Sequence, residues 1–124
     1  MQEWWGSGSA VRSGVVERGV ALDVCPISNV MTRSVAGLAQ HPLRSMLEAG
    51  LLCTLASDDP SMFGSWLTGE YELCRSAFGF DDEAIATLAL GGVRASFANP
   101  ATVADLERGI DAWLVEPGRD DQRP

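Results

Sequence analysis

The chain has 124 residues, of which 46% are hydrophobic and 21% are charged, as is typical of one globular domain with a hydrophobic core. Its net charge of −8 argues against a surface for nucleic acid or an anionic membrane, since both of these partners are polyanions. We therefore expect neither as a partner.

Three cysteines, Cys25, Cys53 and Cys74, are widely spaced and form no CxxC pattern. Their odd number and spacing argue against a disulfide framework and a cysteine zinc site, and they favour a reducing compartment. Each stands among apolar residues, so we expect small buried side chains. No apolar run approaches the ~20 residues of a membrane span, and no signal peptide is evident, which predicts a cytoplasmic protein.

A helix and a strand are predicted first in the chain, behind a loose leader. Residues 1–9 fit no regular period and end in alternating Gly and Ser, which predicts an unstructured leader that exposes Trp4 and Trp5. Apolar residues at helical spacing predict a helix over 10–18. "VALDVC" (20–25) is typical of a short strand that the following proline stops.

Residues 26–40 are predicted to form a long connection. "HP" at 41–42 then opens a helix, because proline suits the first helical turn, and Gly50 ends it. "LLCTLA" (51–56) is nearly all apolar, which is typical of a parallel strand covered on both faces.

Three helices are predicted after this second strand. The first follows the apolar spacing of residues 67–74, and the second begins at Asp81 or Asp82. The third begins at Asn99, before a proline. Their apolar positions are Leu67, Tyr71, Cys74, Ile85, Leu88, Phe97, Val103, Leu106, Ile110, Trp113 and Leu114. The polar residues 116–124 predict a disordered tail.

Strands that alternate with helices predict an α/β fold with a parallel sheet. Only two strands are visible in the sequence, however, and an isolated strand pair is marginally stable in water. Either the other strands come from another chain, or this chain is a piece of something larger.

Two adjacent carboxylates, Asp58 and Asp59, follow the second strand within "TLASDDPSMFG" (54–64). Functional groups gather at the carboxyl ends of parallel strands, where a carboxylate can ligate a cation, orient a water or bind a ligand. Asp before Pro is also an ordinary turn signal. Likewise "CPISN" (25–29), after the first strand, is typical of a loop whose side chains hydrogen-bond their own backbone. Taken singly, neither stretch decides between a turn and a site.

In this order and spacing, five stretches together resemble the C-terminal part of the adenosine deaminase family. They are "LDVCPISN" at 22–29, "HPLRSMLEAG" at 41–50, "TLASDDPSMFG" at 54–64, "EY" at 70–71 and "VRASF" at 93–97. The resemblance implies a (β/α)8 TIM barrel of which this chain contributes the last two strands and the C-terminal helices. Such barrels need about 250 residues, so residues 10–115 would form a partial domain.

The resemblance implies an enzyme of purine metabolism that hydrolyses adenosine to inosine and ammonia. In the family, Zn²⁺ is held by several histidines and one aspartate and activates the attacking water. By position, Asp58 is the zinc ligand that also contacts this water, and Asp59 hydrogen-bonds the purine. The substrate is then a purine nucleoside, although adenosine, adenine and aminofutalosine deaminases share these stretches.

The family's HxH pair, its HAGE stretch and its later catalytic histidine are absent from this sequence. The single histidine, His41, matches the helix-opening "HP", so we expect it to cap or pack. One carboxylate cannot hold zinc in a four- or five-coordinate site. We therefore expect the isolated chain to be inactive, and to need an N-terminal complementing chain or self-association. The alternative is a non-catalytic relic or interaction module that keeps part of the barrel.

The remaining polar and apolar residues near the motif have simpler predicted roles. Glu70 is expected to be structural or solvated, and residues 81–83 to favour a helix N-terminus electrostatically. Met62 and Phe63 are expected to pack beneath the aspartate loop, and the segment 25–29 to shape the rim of the pocket.

Overall fold

The computed structural model describes residues 9–116; the predicted leader with Trp4 and Trp5, apart from Ser9, and the tail from residue 117 lie outside this range. The helices and strands are α1 (Ser9–Glu17), β1 (Ala21–Val24), α2 (Pro26–Met31), a 3-10 helix (Leu38–Gln40), α3 (Leu43–Glu48), β2 (Leu52–Leu55), α4 (Pro60–Phe63), α5 (Leu67–Phe78), α6 (Asp82–Ala95) and α7 (Pro100–Val115). The predicted α/β class is confirmed within these residues.

The two strands pair in parallel, with Ala21 opposite Leu52 and Val24 opposite Leu55. Beyond the last pair, the Ala56 N–H donates to the Val24 carbonyl oxygen at 2.9 Å, which extends the ladder by one step. The parallel direction brings the carboxyl ends of both strands to the same edge of the sheet. The residues that follow each strand are therefore neighbours in space.

The hydrophobic core lies between the strand pair and the helices that cover it, above all α6. Its buried members are Val24, Leu43, Met46, Leu51, Cys53, Leu55, Cys74, Phe80, Ile85 and Leu88. Burial raises the pKa of the Cys53 and Cys74 thiols to about 11, so both stay protonated at neutral pH. The prediction that these two cysteines are small buried side chains is confirmed.

Two of the predicted helix starts are confirmed by their capping contacts. Asp81 precedes α6 and accepts a hydrogen bond from the Ala84 N–H at 2.9 Å. Asn99 precedes α7 and accepts from the Thr102 N–H at 2.9 Å. Both side chains satisfy an amide that has no acceptor within its own helix.

The long connection predicted over residues 26–40 contains two short helices. Pro26 stops β1 and also occupies the first turn of α2, where its missing N–H costs nothing and its fixed φ suits a helix. The 3-10 helix then forms over Leu38–Gln40. The segment 25–29 is thus the start of a helix rather than a loop.

Phe97 does not belong to the apolar stripe of the second long helix, contrary to the prediction. That helix ends at Ala95, because Ser96 adopts an extended backbone and its Oγ donates to the Val93 carbonyl oxygen at 2.7 Å. Phe97 follows in the link to α7 and is fully exposed.

No helix within residues 9–116 combines the length and the apolar character that crossing a membrane requires.

Gly91 marks a close approach of α6 to the sheet. A Cβ atom at this position would lie 2.0 Å from the Cys53 carbonyl oxygen and 3.0 Å from its carbonyl carbon. Both of these are backbone atoms of β2, so neither can rotate away. The absence of a side chain at Gly91 therefore sets the spacing between α6 and the strand pair.

We predict that Gly91→Ala lowers the free energy of unfolding by about 3 kcal/mol, because the helix must move off β2. Gly109→Ala is the matched control, since a Cβ at Gly109 on α7 meets nothing within 4 Å. That control should raise stability by about 1 kcal/mol through helix propensity. Denaturant unfolding of the two variants checks this, and equal effects would contradict the close packing.

Candidate functional site

Asp58 lies at the shared edge of the strands and is held there by a residue that follows the other strand. Its Oδ2 accepts a hydrogen bond of 2.7 Å from the Ser28 Oγ. Ser28 is buried on α2, whereas the Asp58 carboxylate reaches the surface. The sequence separation of 30 residues makes this a tertiary contact that joins the two strand ends.

The backbone of Asp58 is left-handed, with φ of 62°. This conformation costs a residue other than glycine about 1–3 kcal/mol, although aspartate and asparagine adopt it more readily than most. Such strain persists only where surrounding contacts hold it, and the Ser28 hydrogen bond is one such contact.

Asp59 is the N-cap of α4, with its Oδ1 accepting from the Met62 N–H at 3.0 Å. The turn interpretation of this aspartate is therefore correct as far as its local contact goes. Its carboxylate is exposed at the same sheet edge as Asp58. The Asp58 carboxylate is thus held by a residue distant in sequence, whereas the Asp59 carboxylate is held by the helix that it caps.

The loop interpretation predicted that side chains of the segment 25–29 would bond their own backbone, but Ser28 and Asn29 contact other elements instead. Ser28 reaches Asp58, and the Asn29 Oδ1 lies 3.0 Å from the His41 Nε2. The helical turn of α2 is the physical reason, since it fixes both side chains toward neighbouring elements. Sequence spacing alone contained no signal for either contact.

His41 caps and packs, as predicted. The Leu43 N–H donates to its Nδ1 at 3.2 Å, so its Nε2 carries the proton and donates to the Asn29 Oδ1. The ring also packs against the Phe78 ring, with centroids 5.5 Å apart. Burial lowers the His41 pKa, which favours this neutral form.

Glu70 on α5 is completely buried, so the solvated role is wrong and the structural role remains of the two that were expected. Its Oε1 accepts from the Ser65 Oγ at 2.6 Å, and its Oε2 accepts from the Ile27 N–H at 3.3 Å. The sequence held one signal for this burial, because Glu70 shares a helical face with the predicted apolar residue Cys74. Neither hydrogen-bonding partner was predicted.

Cys25 follows β1, lies beside these groups and is half-buried. Burial raises the pKa of its thiol to about 11, and the charges of Asp23, Asp58 and Glu70 act in the same direction. The thiol is therefore protonated at neutral pH and is a poor nucleophile.

The prediction that Met62 packs beneath the aspartate loop is wrong, since its side chain is 73% exposed. Met62 instead contributes its backbone, since its N–H donates to the Asp59 side chain at 3.0 Å in a helix of a single turn. Phe63 is half-buried.

One carboxylate among the described residues at this edge is available to a metal ion. Within residues 9–116, no group of three or more His, Cys, Asp or Glu side chains could hold a metal ion. Asp58 offers a surface carboxylate that a neutral donor orients, which fits one oxygen ligand of a zinc site. The other ligands are not provided by the part of the chain that the structure describes.

We predict that the free energy of unfolding decreases as the pH is lowered below 6.5, because of His41, the chain's only histidine. Burial lowers its folded-state pKa, so between that pKa and 6.5 the unfolded chain binds more protons than the folded chain. Protonation also removes the Nδ1 acceptor of the Leu43 N–H. Denaturant unfolding on both sides of pH 6.5 measures this dependence.

His41→Asn is the matched control for this pH dependence, because the amide oxygen can accept the Leu43 N–H and does not titrate. It should flatten the dependence below pH 6.5. An unchanged slope in this variant would show that His41 is not its source.

The sequence model of the adenosine deaminase family matches residues 11–113. The aminodeoxyfutalosine deaminase of Streptomyces coelicolor is 41% identical over 105 residues, which cover 82% of this chain and 27% of the relative. The crystal structure of an adenine deaminase from Arthrobacter aurescens has a TM-score of 0.85 at 38% identity, over 87% of this chain and 33% of that one.

An amidohydrolase from Burkholderia ambifaria, crystallised with bound zinc, shares the fold at a TM-score of 0.76 and 22% identity, over 87% of this chain and 30% of that one. The chain thus spans about a third, or less, of the length of these proteins. The family match, which covers most of the chain, and the 41% identity to a named deaminase agree. This chain belongs to the adenosine deaminase family of aminohydrolase enzymes.

Proposed function

We propose that this chain forms the carboxylate side of the active site of a zinc-dependent purine deaminase. Asp58 is the zinc ligand and Asp59 hydrogen-bonds the purine ring. The observation that carries the proposal is the Ser28–Asp58 hydrogen bond of 2.7 Å, which fixes a surface carboxylate where two parallel strands end. Such strand ends are the usual place for active-site groups in α/β enzymes.

We further propose that β1 and β2 are the last two strands of a (β/α)8 barrel and that residues 10–115 are the partial domain. Two parallel strands of four residues each leave two free edges. The match to a third of the Arthrobacter adenine deaminase supports a larger parent fold. In that fold, neighbouring strands cover both edges.

Asp58 has the properties that a metal-binding carboxylate requires. One oxygen is occupied by the Ser28 hydroxyl, and the side chain is exposed at the sheet edge, where a cation can approach. An ordered outer partner of this kind orients a ligating carboxylate before the metal binds. When bound, zinc supplies the acidity that turns a water into a nucleophile near neutral pH.

Asp59 is placed to bind substrate beside this ligand. Its capping bond to the Met62 N–H occupies one oxygen and fixes the carboxylate at the start of α4. An exposed carboxylate in a fixed direction can accept a hydrogen bond from a protonated ring nitrogen or an amino group of a purine. The same aspartate therefore serves both the helix and the base.

Adenosine, hydrolysed to inosine and ammonia, is the proposed substrate. Adenine and aminodeoxyfutalosine, for which the matched relatives are named, are the alternative candidate substrates. A panel of these three compounds with a common ammonia assay separates the possibilities. The proposed compartment is the cytoplasm.

The remaining zinc ligands are proposed to come from a polypeptide segment other than residues 9–116. The simplest supplier is an N-terminal complementing segment that also adds the missing strands, and self-association is the other. On its own, the 124-residue chain should neither hold catalytic zinc nor release ammonia.

A chimera tests the proposal directly: this chain replaces the matching third of the Arthrobacter adenine deaminase. We predict that the chimera binds about one zinc and releases ammonia. Asp58→Asn should lose most of the zinc, because it keeps the left-handed backbone and the Ser28 acceptor but removes the charge. Metal analysis and turnover are the measurements.

We predict that Asp59→Asn in this chimera keeps zinc and stability but lowers turnover by about 100-fold. Asparagine remains a good N-cap, so any loss reflects the missing charge and not an unfolded α4. Asp111→Asn, on the exposed surface of α7, is the control and should change nothing.

Full zinc content and turnover in Asp58→Asn would contradict the role of Asp58. A folded chimera with neither zinc nor turnover would favour the alternative, a non-catalytic interaction module.

A further inference from the structure

The buried carboxylate of Glu70 joins α5 to α2 and to the link before α5, near the proposed site. It lies on α5 with no solvent exposure, and it accepts hydrogen bonds from the Ser65 hydroxyl and from the Ile27 N–H at the start of α2. Ser65 is itself 4% exposed. Burying a carboxylate against two neutral donors is costly, so this position calls for an explanation beyond packing.

Glu70 supplies an acceptor that α2 lacks locally. The N-cap residue of α2 is Cys25, whose side chain makes no capping hydrogen bond. The first N–H groups of a helix have no acceptor within it, and they favour a negative charge nearby. The Glu70 Oε2 meets this need at the Ile27 N–H, 43 residues away in sequence.

Ser28 follows Ile27 directly in the same turn of α2. It is 3% exposed, and its Oγ donates to the Asp58 Oδ2 at 2.7 Å. Because the backbone of one helical turn moves as a unit, the contact that anchors Ile27 also sets the position of the Ser28 hydroxyl. A continuous set of contacts therefore runs from Ser65 through Glu70 and α2 to Asp58.

We propose that Glu70 is a positioning residue for the metal site. It anchors the first turn of α2, so that Ser28 holds the Asp58 carboxylate in the direction that zinc requires. This inference rests on the proposed role of Asp58 as a zinc ligand. Outer partners of metal ligands change metal affinity by about 10–100-fold when they are removed.

Two substitutions at Glu70 separate this role from simple packing. Glu70→Leu fills a similar volume with an apolar side chain but leaves the Ile27 N–H and the Ser65 hydroxyl without their acceptor. Glu70→Gln conserves the contacts, because its oxygen can accept from Ile27 while its amide donates to the Ser65 Oγ. The positioning role therefore predicts loss in the first variant and rescue in the second.

The test uses the full chain within the chimera, with zinc affinity measured by chelator competition and geometry by the absorption spectrum after cobalt(II) replaces zinc. We predict that Glu70→Leu and Ser28→Ala each weaken zinc binding by about tenfold or more and change the cobalt spectrum. Glu70→Gln should match the unsubstituted chimera. Ile85→Ala, a core control on α6, should lower the unfolding temperature without changing zinc affinity.

The double variant Glu70→Leu with Ser28→Ala decides whether Glu70 acts through Ser28. If it does, the double variant binds zinc as weakly as Ser28→Ala alone, because both substitutions remove the same contact between Ser28 and Asp58. Losses that multiply would overturn the proposal, and so would a Glu70→Leu variant that melts earlier but binds zinc normally.

Ser65→Ala provides a milder variant in case Glu70→Leu does not fold. It frees one oxygen of Glu70, so we predict a smaller loss of zinc affinity, and unchanged affinity would overturn the inference. Failure of the proposed function is recognised separately, because Asp58→Asn would then retain its zinc.

Discussion

The parallel pairing of β1 with β2 is the constraint on which the rest of the structure depends. Its register sets Val24 opposite Leu55, so both strands end at the same edge of the sheet and the residues that follow them meet. Ser28 can reach Asp58 only because of this register, since 30 residues separate them in sequence. A shift by one residue would turn the side chains of a strand to the opposite face and would separate these groups.

Local stability and the proposed chemistry use the same side chains at this edge. Asp59 caps α4, and Asp58 adopts a left-handed backbone that its Ser28 contact helps to hold. Glu70 supplies the acceptor that the N-cap residue of a neighbouring helix does not, and it is buried. In each case a carboxylate satisfies backbone or hydroxyl donors, which fixes its direction before any ligand binds. Pre-organisation of this kind is what a metal or substrate site requires.

The sequence predicted the strands, the long helices and the strand-end position of Asp58 from local patterns alone. It missed α2, because Pro26 after a strand indicates a break and does not reveal that the next turn is helical. The contact between Ser28 and Asp58 was invisible for a different reason, since hydrogen bonds across 30 residues depend on tertiary register. Glu70 showed a partial signal in its helical spacing, whereas nothing in the local pattern revealed that Met62 is exposed.

The central claim is that the Asp58 carboxylate, held by Ser28, is a ligand of zinc. Anomalous diffraction at the zinc edge from crystals of the chimera tests it most directly. We predict a zinc peak about 2.0–2.2 Å from one Asp58 oxygen, with the Ser28 hydroxyl still bonded to the other. A zinc peak whose ligands do not include Asp58, in a site where the Ser28 contact is intact, would contradict it.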